Sequence, residues 1–169
     1  MELYTIGHSA HPIEVFVGLL RLHQVRLVVD VRSIPASRFH PQYGKKRLAD
    51  SLAEAGLGYT YLGEALGGRP GDPALYPDGM RRQPGDRFPR PDYTRVAQRP
   101  DFLQTIDRLL ALAAAERTAI LCSEEDPARC HRHLLIAAYL AVHAPEVRVW
   151  HIRGSGALED ARMLGLMAE

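Results

Sequence analysis

The chain reads as a single α/β domain over 1–169, Rossmann-like and three-layered, on a mainly parallel sheet of about five strands. Three observations predict this. Apolar, β-branched runs of strand length alternate with stretches of helical periodicity along 169 residues, the pattern of right-handed βαβ units. A chain of that length buries roughly 70% of its unfolded surface as one domain and needs no disulfide staples. Hydrophobic and charged fractions of 46% and 24% are those of an ordinary globular protein, and exclude a disordered chain, a collagen and a coiled coil.

Leu3-Tyr4-Thr5-Ile6, stopped by Gly7, is the first strand. Pro12 to Leu22 follows, with Ile13, Phe16, Val17, Leu19 and Leu20 at helical spacing. Arg26-Leu27-Val28-Val29-Asp30-Val31 is nearly continuously apolar, as a strand covered on both faces should be. Pro35 and Pro41 enforce loop, Gly44 to Ala55 reads as a helix closed by Gly56, and Tyr59-Thr60-Tyr61-Leu62 is the third strand. The 34 residues from Gly67 to Pro100 then hold seven of the 12 prolines, five of the 14 glycines and seven arginines. Structureless loops above about 12–15 residues are uncommon unless they cover or bind something. With Tyr76, Phe88 and Tyr93 available for packing, this stretch is expected to be a partly ordered lid, inserted after the third strand. Phe102 to Ala115 is an amphipathic helix and Thr118-Ala119-Ile120-Leu121-Cys122 the fourth strand. Asp126-Pro127 is a helix start, Asp as N-cap and Pro in the first turn, with the helix running to about His143. Val147 to Ile152 is the fifth strand and Leu158 to Leu166 a weak terminal helix.

No apolar run approaches the about 18 residues of a membrane span, and Met1-Glu2-Leu3-Tyr4 lacks the basic start of a signal peptide. Membrane association is therefore not expected. Cys122 and Cys130 are the only cysteines, too few for a secreted disulfide scaffold and suited to a reducing cytoplasm. Charge is balanced at 21 basic against 20 acidic residues, yet Arg32 to Arg99 holds 12 Lys/Arg against 7 Asp/Glu. That balance argues against a protein that coats nucleic acid and allows a basic middle facing one ligand. The 12 prolines and the absence of Asn fit a heat-adapted chain.

Ligands of open parallel sheets bind beyond the carboxyl ends of the strands. His8 and Ser9 follow the first strand here, Asp30, Arg32, Ser33 and Ser37 end or follow the second, and Glu64, Gly67, Gly68 and Arg69 follow the third. Cys122, Ser123, Glu124 and Glu125 end or follow the fourth, with Cys130, His131 and Arg132 close behind, and His151 lies in the fifth. The opposite connections, at Leu22-His23-Gln24 and Ala115-Glu116-Arg117, look like plain surface.

Four of these segments carry a resemblance in their order along the chain. They are Tyr4-Thr5-Ile6-Gly7-His8-Ser9; Val29-Asp30-Val31-Arg32 with Pro35 and Ser37; Leu62-Gly63 with Gly67-Gly68-Arg69; and Leu121-Cys122-Ser123-Glu124 with Cys130-His131-Arg132. Together they resemble the family named domain of unknown function 488 (DUF488). The resemblance implies one α/β domain and assigns no activity. Two departures are modest: Glu64-Ala65-Leu66 lengthens the approach to Gly67-Gly68-Arg69, and 67–100 is rich in proline.

Each candidate has a plain structural alternative. Cys130, four residues past the Asp126 cap, gains thiolate character from the helix dipole and the nearby Arg129 and Arg132. It also shares a stripe with Leu134, Ala137 and Ala141, as a buried core thiol would. Cys122 ends a central strand where nucleophilic cysteines sit, but Glu124, Glu125 and Asp126 follow at once and raise a thiol's pKa. Asp30 and Arg32 share a strand face, either as a loop-holding ion pair or as a base beside an anion holder. His8 and His151 suit acid–base work. A zinc set from Cys122, Cys130, His131 and His133 lacks the paired C-x2-C or H-x3-H spacing, so no metal is expected. The dinucleotide and NTP glycine motifs are absent as well, so neither is a cofactor.

The leading expectation is an enzyme, hydrolase or transferase, whose cleft takes a phosphate-bearing or otherwise anionic ligand, a nucleotide or a nucleic-acid end. Asp30, His8 and Cys130 are the expected reactive groups. Ser9, Arg32, Ser37, Arg69, Cys122, Glu124, His131, Arg132 and His151 are the expected ligand contacts. Two alternatives stand beside it: a non-catalytic nucleotide or nucleic-acid binding module, and a thiol redox protein using Cys122 and Cys130.

Overall fold

Leu27–Asp30 (β2) and Thr118–Cys122 (β4) are buried at every residue, and they lie side by side inside a six-stranded sheet. The computed structural model describes residues 1–77, 79–81 and 88–165. The sheet runs β3-β2-β4-β1-β5-β6, with Glu2–Gly7 as β1, Gly58–Tyr61 as β3, Arg148–Ile152 as β5 and Leu158–Asp160 as β6. Every pairing is parallel except β5 with β6. The fold is α/β, with a mostly parallel sheet.

Alternation within the strands builds two apolar cores, one on each face of the sheet. Tyr4, Ile6, Val28 and Leu121 pack with Phe16 and Leu20 of α1 (Ile13–Leu22) and with Leu48 and Leu52 of α2 (Lys45–Glu54). On the other face, Leu3, Val29 and Ile120 meet Phe102, Ile106 and Leu109 of the long helix Pro100–Ala115, together with Leu135, Ile136 and Leu140. Short helices Gly63–Leu66 (α3) and Tyr93–Val96 (α4) precede that long helix, α5. Crossovers through α1 and α2 carry the chain one way across the sheet, and the later ones return it over the opposite face. Connections leaving the adjacent ends of β2 and β4 therefore diverge, which opens a crevice at the carboxyl edge.

Two expectations need correction. The sheet has six strands, because Leu158–Asp160 folds back on β5 where a helix to Leu166 was expected. Gly156, at φ +87°, makes the turn, Arg153 N–H donates to the Ala157 carbonyl, and Arg148 pairs with Asp160 across the strands at 3.1 Å. Leu166 itself lies outside the described residues.

The helix expected from Asp126 does not run through Cys130. Asp126 caps a single 3-10 turn, Pro127–Arg129, accepting the Ala128 N–H at 3.1 Å. Cys130 is extended at φ −126°, ψ 142°. Helix resumes beyond it, π-helical over Arg132–Ala137 and regular over Ala138–His143 (α6). The Cys130 carbonyl accepts from both His133 and Leu134 N–H groups at 3.0 Å, so Cys130 stands at the start of this helix, not in its early turns.

The lid expected over 67–100 carries local structure in its described part, a 3-10 turn Pro73–Leu75 and α4. Asp78 and residues 82–87 of it lie outside the described residues.

Candidate functional site

The crevice is a cavity of about 510 Å³. Residues 32–34 beyond β2, residues 122–126 at and beyond the end of β4, and the turn into Cys130-His131 line it. Gly68, Arg69, residues 88–91 and Tyr93 form the facing wall.

Four side chains gather on its floor. Cys122 Sγ donates to Glu124 Oε2 at 3.0 Å. His131 Nδ1 lies 3.5 Å from Cys122 Sγ and 3.9 Å from Cys130 Sγ. His131 Nε2 is 3.0 Å from the Val31 carbonyl oxygen, so Nε2 carries a proton and Nδ1 turns its lone pair toward the sulfurs in the neutral ring. Cys122, Cys130 and His131 are buried, and both cysteines are free thiols.

The charges in this cluster are interdependent. A hydrogen bond from Cys130, aided by the His131 ring, holds the Cys122 thiol well below its ordinary pKa. Burial, then the Cys122 neighbour, pushes Cys130 well up. Burial works against a charged His131, but the Cys122 sulfur outweighs it and raises the ring's pKa. Glu124 is raised by burial and by the same sulfur. Of the two thiols Cys122 ionises the more readily, and an ionised Cys122 and a protonated His131 favour each other.

Two glycines let the backbone close on this floor. A Cβ on Gly68 would lie 2.5 Å from Cγ of His131, and one on Gly7 would lie 1.7 Å from the Glu124 carbonyl oxygen. Side chains there would displace the ring in one case and the β4 loop in the other.

Asp30 and Arg32 sit behind the floor as a bidentate pair. Arg32 donates from Nε to Asp30 Oδ1 at 2.9 Å and from Nη2 to Oδ2 at 2.6 Å. Tyr59 adds its hydroxyl to Oδ2 at 2.8 Å. Arg32 reaches the cavity wall, and Asp30, with no exposed surface, does not. His8 donates from Nδ1 to the Ser9 carbonyl at 2.8 Å and turns Nε2 toward Arg32 Nη1 at 3.4 Å. Its ring stacks on Tyr43 at 4.1 Å, and burial lowers its pKa to about 4. His8 is thus neutral at pH 7 and borders Arg32 rather than the cavity.

Several expected contacts lie elsewhere. The buried Arg132 donates to the carbonyls of Glu124 and Glu125, bracing their loop instead of facing an anion. His151 is buried between Thr5 Oγ1, 2.7 Å away, and His133 Nδ1, 3.1 Å away. Burial takes its pKa to about 3. Ser37 Oγ accepts the His40 N–H, an internal turn bond. Ser9, at φ 47°, donates its N–H to the Ser123 carbonyl at 2.9 Å, tying the β1 and β4 loops. Arg69 does line the cavity; its N–H donates to Ser33 Oγ and its guanidinium stacks on Phe88 at 3.4 Å.

Sequence reasoning left Ser33, Tyr59, Tyr93 and Arg129 off the site. Arg129 and Ser33 border the marked motifs and could have been found. Tyr59 and Tyr93 look like core aromatics, and no local signal separates them.

The fold and this cluster define a class: an α/β domain with a thiol–imidazole–carboxyl group at the carboxyl edge of a parallel sheet. The family model described as domain of unknown function DUF488 matches residues 12–140, and the chain belongs to that family. No curated protein and no solved structure matches the chain.

Proposed function

We propose that the chain is an enzyme, hydrolase or transferase, acting on an anionic, phosphate-class substrate in this cleft. The carrying observation is an imbalance of partners. The cleft's acids are engaged: Glu124 with Cys122, Glu125 with Arg153 at 2.8 Å, and Asp126 with the turn it caps. Arg69 and Arg129, exposed on the rim, have no carboxylate partner among the described residues. Two guanidiniums lining one cavity without a carboxylate partner among the described residues favour a phosphate or carboxylate group. Arg69 and Arg129 hold the anion, the floor cluster supplies the reacting groups, and Asp30 and His8 position Arg32. The reversing crossovers support a Rossmann-like reading of the sheet, with the 67–100 stretch as its cover. Among the described residues no helix is long and apolar enough to cross a membrane, and free thiols suit a reducing cytoplasm.

Calorimetric titration with inorganic phosphate and with a nucleoside monophosphate tests the binding. Wild type should bind, and the Arg69→Ala/Arg129→Ala variant should bind at least about 10-fold more weakly, since a charge-assisted hydrogen bond contributes about 1.5–3 kcal/mol. Equal binding by both proteins, or none by either, overturns the anion assignment. Turnover of a phosphomonoester or phosphodiester panel tests catalysis. Oligonucleotide binding that falls steeply with salt, without turnover, replaces the enzyme with a binding module.

A further inference from the structure

We propose that Cys122 Sγ, Cys130 Sγ and His131 Nδ1 form a binding site for a divalent transition metal of the zinc class, with a fourth position open to the cleft beside Glu124. These three ligand atoms lie within 4.8 Å of one another. Zinc–sulfur bonds of about 2.3 Å and zinc–nitrogen bonds of about 2.0–2.1 Å, set at tetrahedral angles, require a sulfur–nitrogen separation of about 3.5 Å. The two observed separations are 3.5 and 3.9 Å.

His131 is oriented as a metal-binding histidine must be. Its Nε2–H is tied to the Val31 carbonyl at 3.0 Å, which leaves Nδ1 as the donor facing the thiols. Gly68 packs flush against that ring and blocks its swing. Cys122 is fixed at the end of a fully buried strand. Cys130 is the extended residue between the 3-10 turn and the π-helix, and His131 is the N-cap of that helix. Two thiolates and an imidazole select zinc-class ions over magnesium or calcium, which take oxygen donors. Binding needs both sulfurs as thiolates and His131 Nδ1 without a proton, so the protons these three atoms carry go to solvent. A dication with two thiolates and a neutral imidazole leaves a neutral site before the fourth ligand arrives.

The linear spacing concealed this. Cys122 and Cys130 are eight positions apart, Cys130 and His131 adjacent, and neither spacing belongs to a zinc ribbon or finger. All three line the cavity, so the site resembles catalytic zinc, with three protein ligands and an open position, more than closed structural zinc. An ion here would face the anion placed above. Its use in catalysis rests on that reading, but its binding does not.

The test is metal binding by the full chain, stripped with chelator and kept reduced, in buffer free of phosphate. Zinc in competition with a chromophoric chelator should bind at one equivalent with a Kd below about 1 μM. Cobalt(II) should give a near-ultraviolet thiolate charge-transfer band and the intense visible bands of a tetrahedral ion. Cys130→Ser and His131→Ala should each weaken zinc at least about 100-fold. Should either variant fail to fold, alkylation of wild type decides instead: zinc should protect both Cys122 and Cys130 from iodoacetamide. Substoichiometric zinc, cobalt without a charge-transfer band, or a zinc-treated chain that alkylates or forms a Cys122–Cys130 disulfide as fast as the stripped one overturns the proposal. Phosphate binding that is equal in wild type and the arginine variant, with zinc bound as expected, would sink only the anion reading; arginine-dependent phosphate binding without zinc binding would sink only the metal.

Discussion

Replacing Asp30 by asparagine removes one charge from a pair with almost no contact with water, Asp30 at 0% and Arg32 at 3% exposure. The carboxylate accepts four hydrogen bonds: Arg32 N and Nε on Oδ1, and Arg32 Nη2 and the Tyr59 hydroxyl on Oδ2. Asparagine can keep the first two through its carbonyl oxygen, but its amide turns donors toward Nη2 and strands the guanidinium charge. Breaking a buried pair from one side costs about 3–5 kcal/mol. With a urea m-value of about 2 kcal/mol/M, the unfolding midpoint should fall by about 2 M. Asp30→Asn/Arg32→Met should recover at least half of that, because the uncompensated charge is gone and the stem is replaced by apolar volume. Equilibrium urea unfolding followed by far-ultraviolet circular dichroism measures these three proteins, and Arg32→Met alone closes the double-mutant cycle. A single variant within about 0.5 M of wild type, or a double variant no better than the single, would refute the account of this pair as the brace behind the site.

Acid should weaken the fold through two buried histidines. Burial lowers His8 to about 4 and His151 to about 3, whereas the unfolded chain titrates both near 6.5. The stability they confer is therefore complete above pH 6.5 and is lost as pH falls toward the folded values, about 2 kcal/mol from each by pH 5. Urea midpoints between pH 7.5 and 5 measure it, and a flat profile, or ring protons of His8 and His151 that titrate near pH 6.5 in the native state, would contradict it. Gly68→Ala should cost about 1–3 kcal/mol through the 2.5 Å approach to His131 and lower zinc affinity at least about 10-fold; native stability with unshifted His131 resonances would show that the ring has room.

The strands were legible because each is an apolar run bounded by glycine or a charge, and five of the six follow that rule. β6 does not: Leu158-Glu159-Asp160 is too short and polar to show a period, and its pairing comes from the glycine turn before it. The edge carrying the site was legible from the polar residues after successive strands. What they do there was not, because strand order sets it. Placing β4 between β2 and β1 brings Cys122 beside Arg32 and turns His8 away from the cavity. Asp126-Pro127 is a sound local start signal, but one 3-10 turn satisfies it, and the break at Cys130 answers to tertiary packing. The Cys122, Cys130 and His131 grouping arises from that break, which no linear spacing encodes.

The position of β4 also sets the order in which the molecule can come together during synthesis. β1 bonds only to β4 and β5, and β2 only to β3 and β4. A nascent chain that has not yet delivered residue 118 therefore holds an unpaired first strand and a two-stranded ribbon, which is marginal in water on its own. When β4 emerges it joins the two halves, and the same segment carries Cys122 and leads directly to Cys130 and His131. The reactive floor is thus built on the strand that unites the sheet, so no intermediate lacking β4 can display an assembled site.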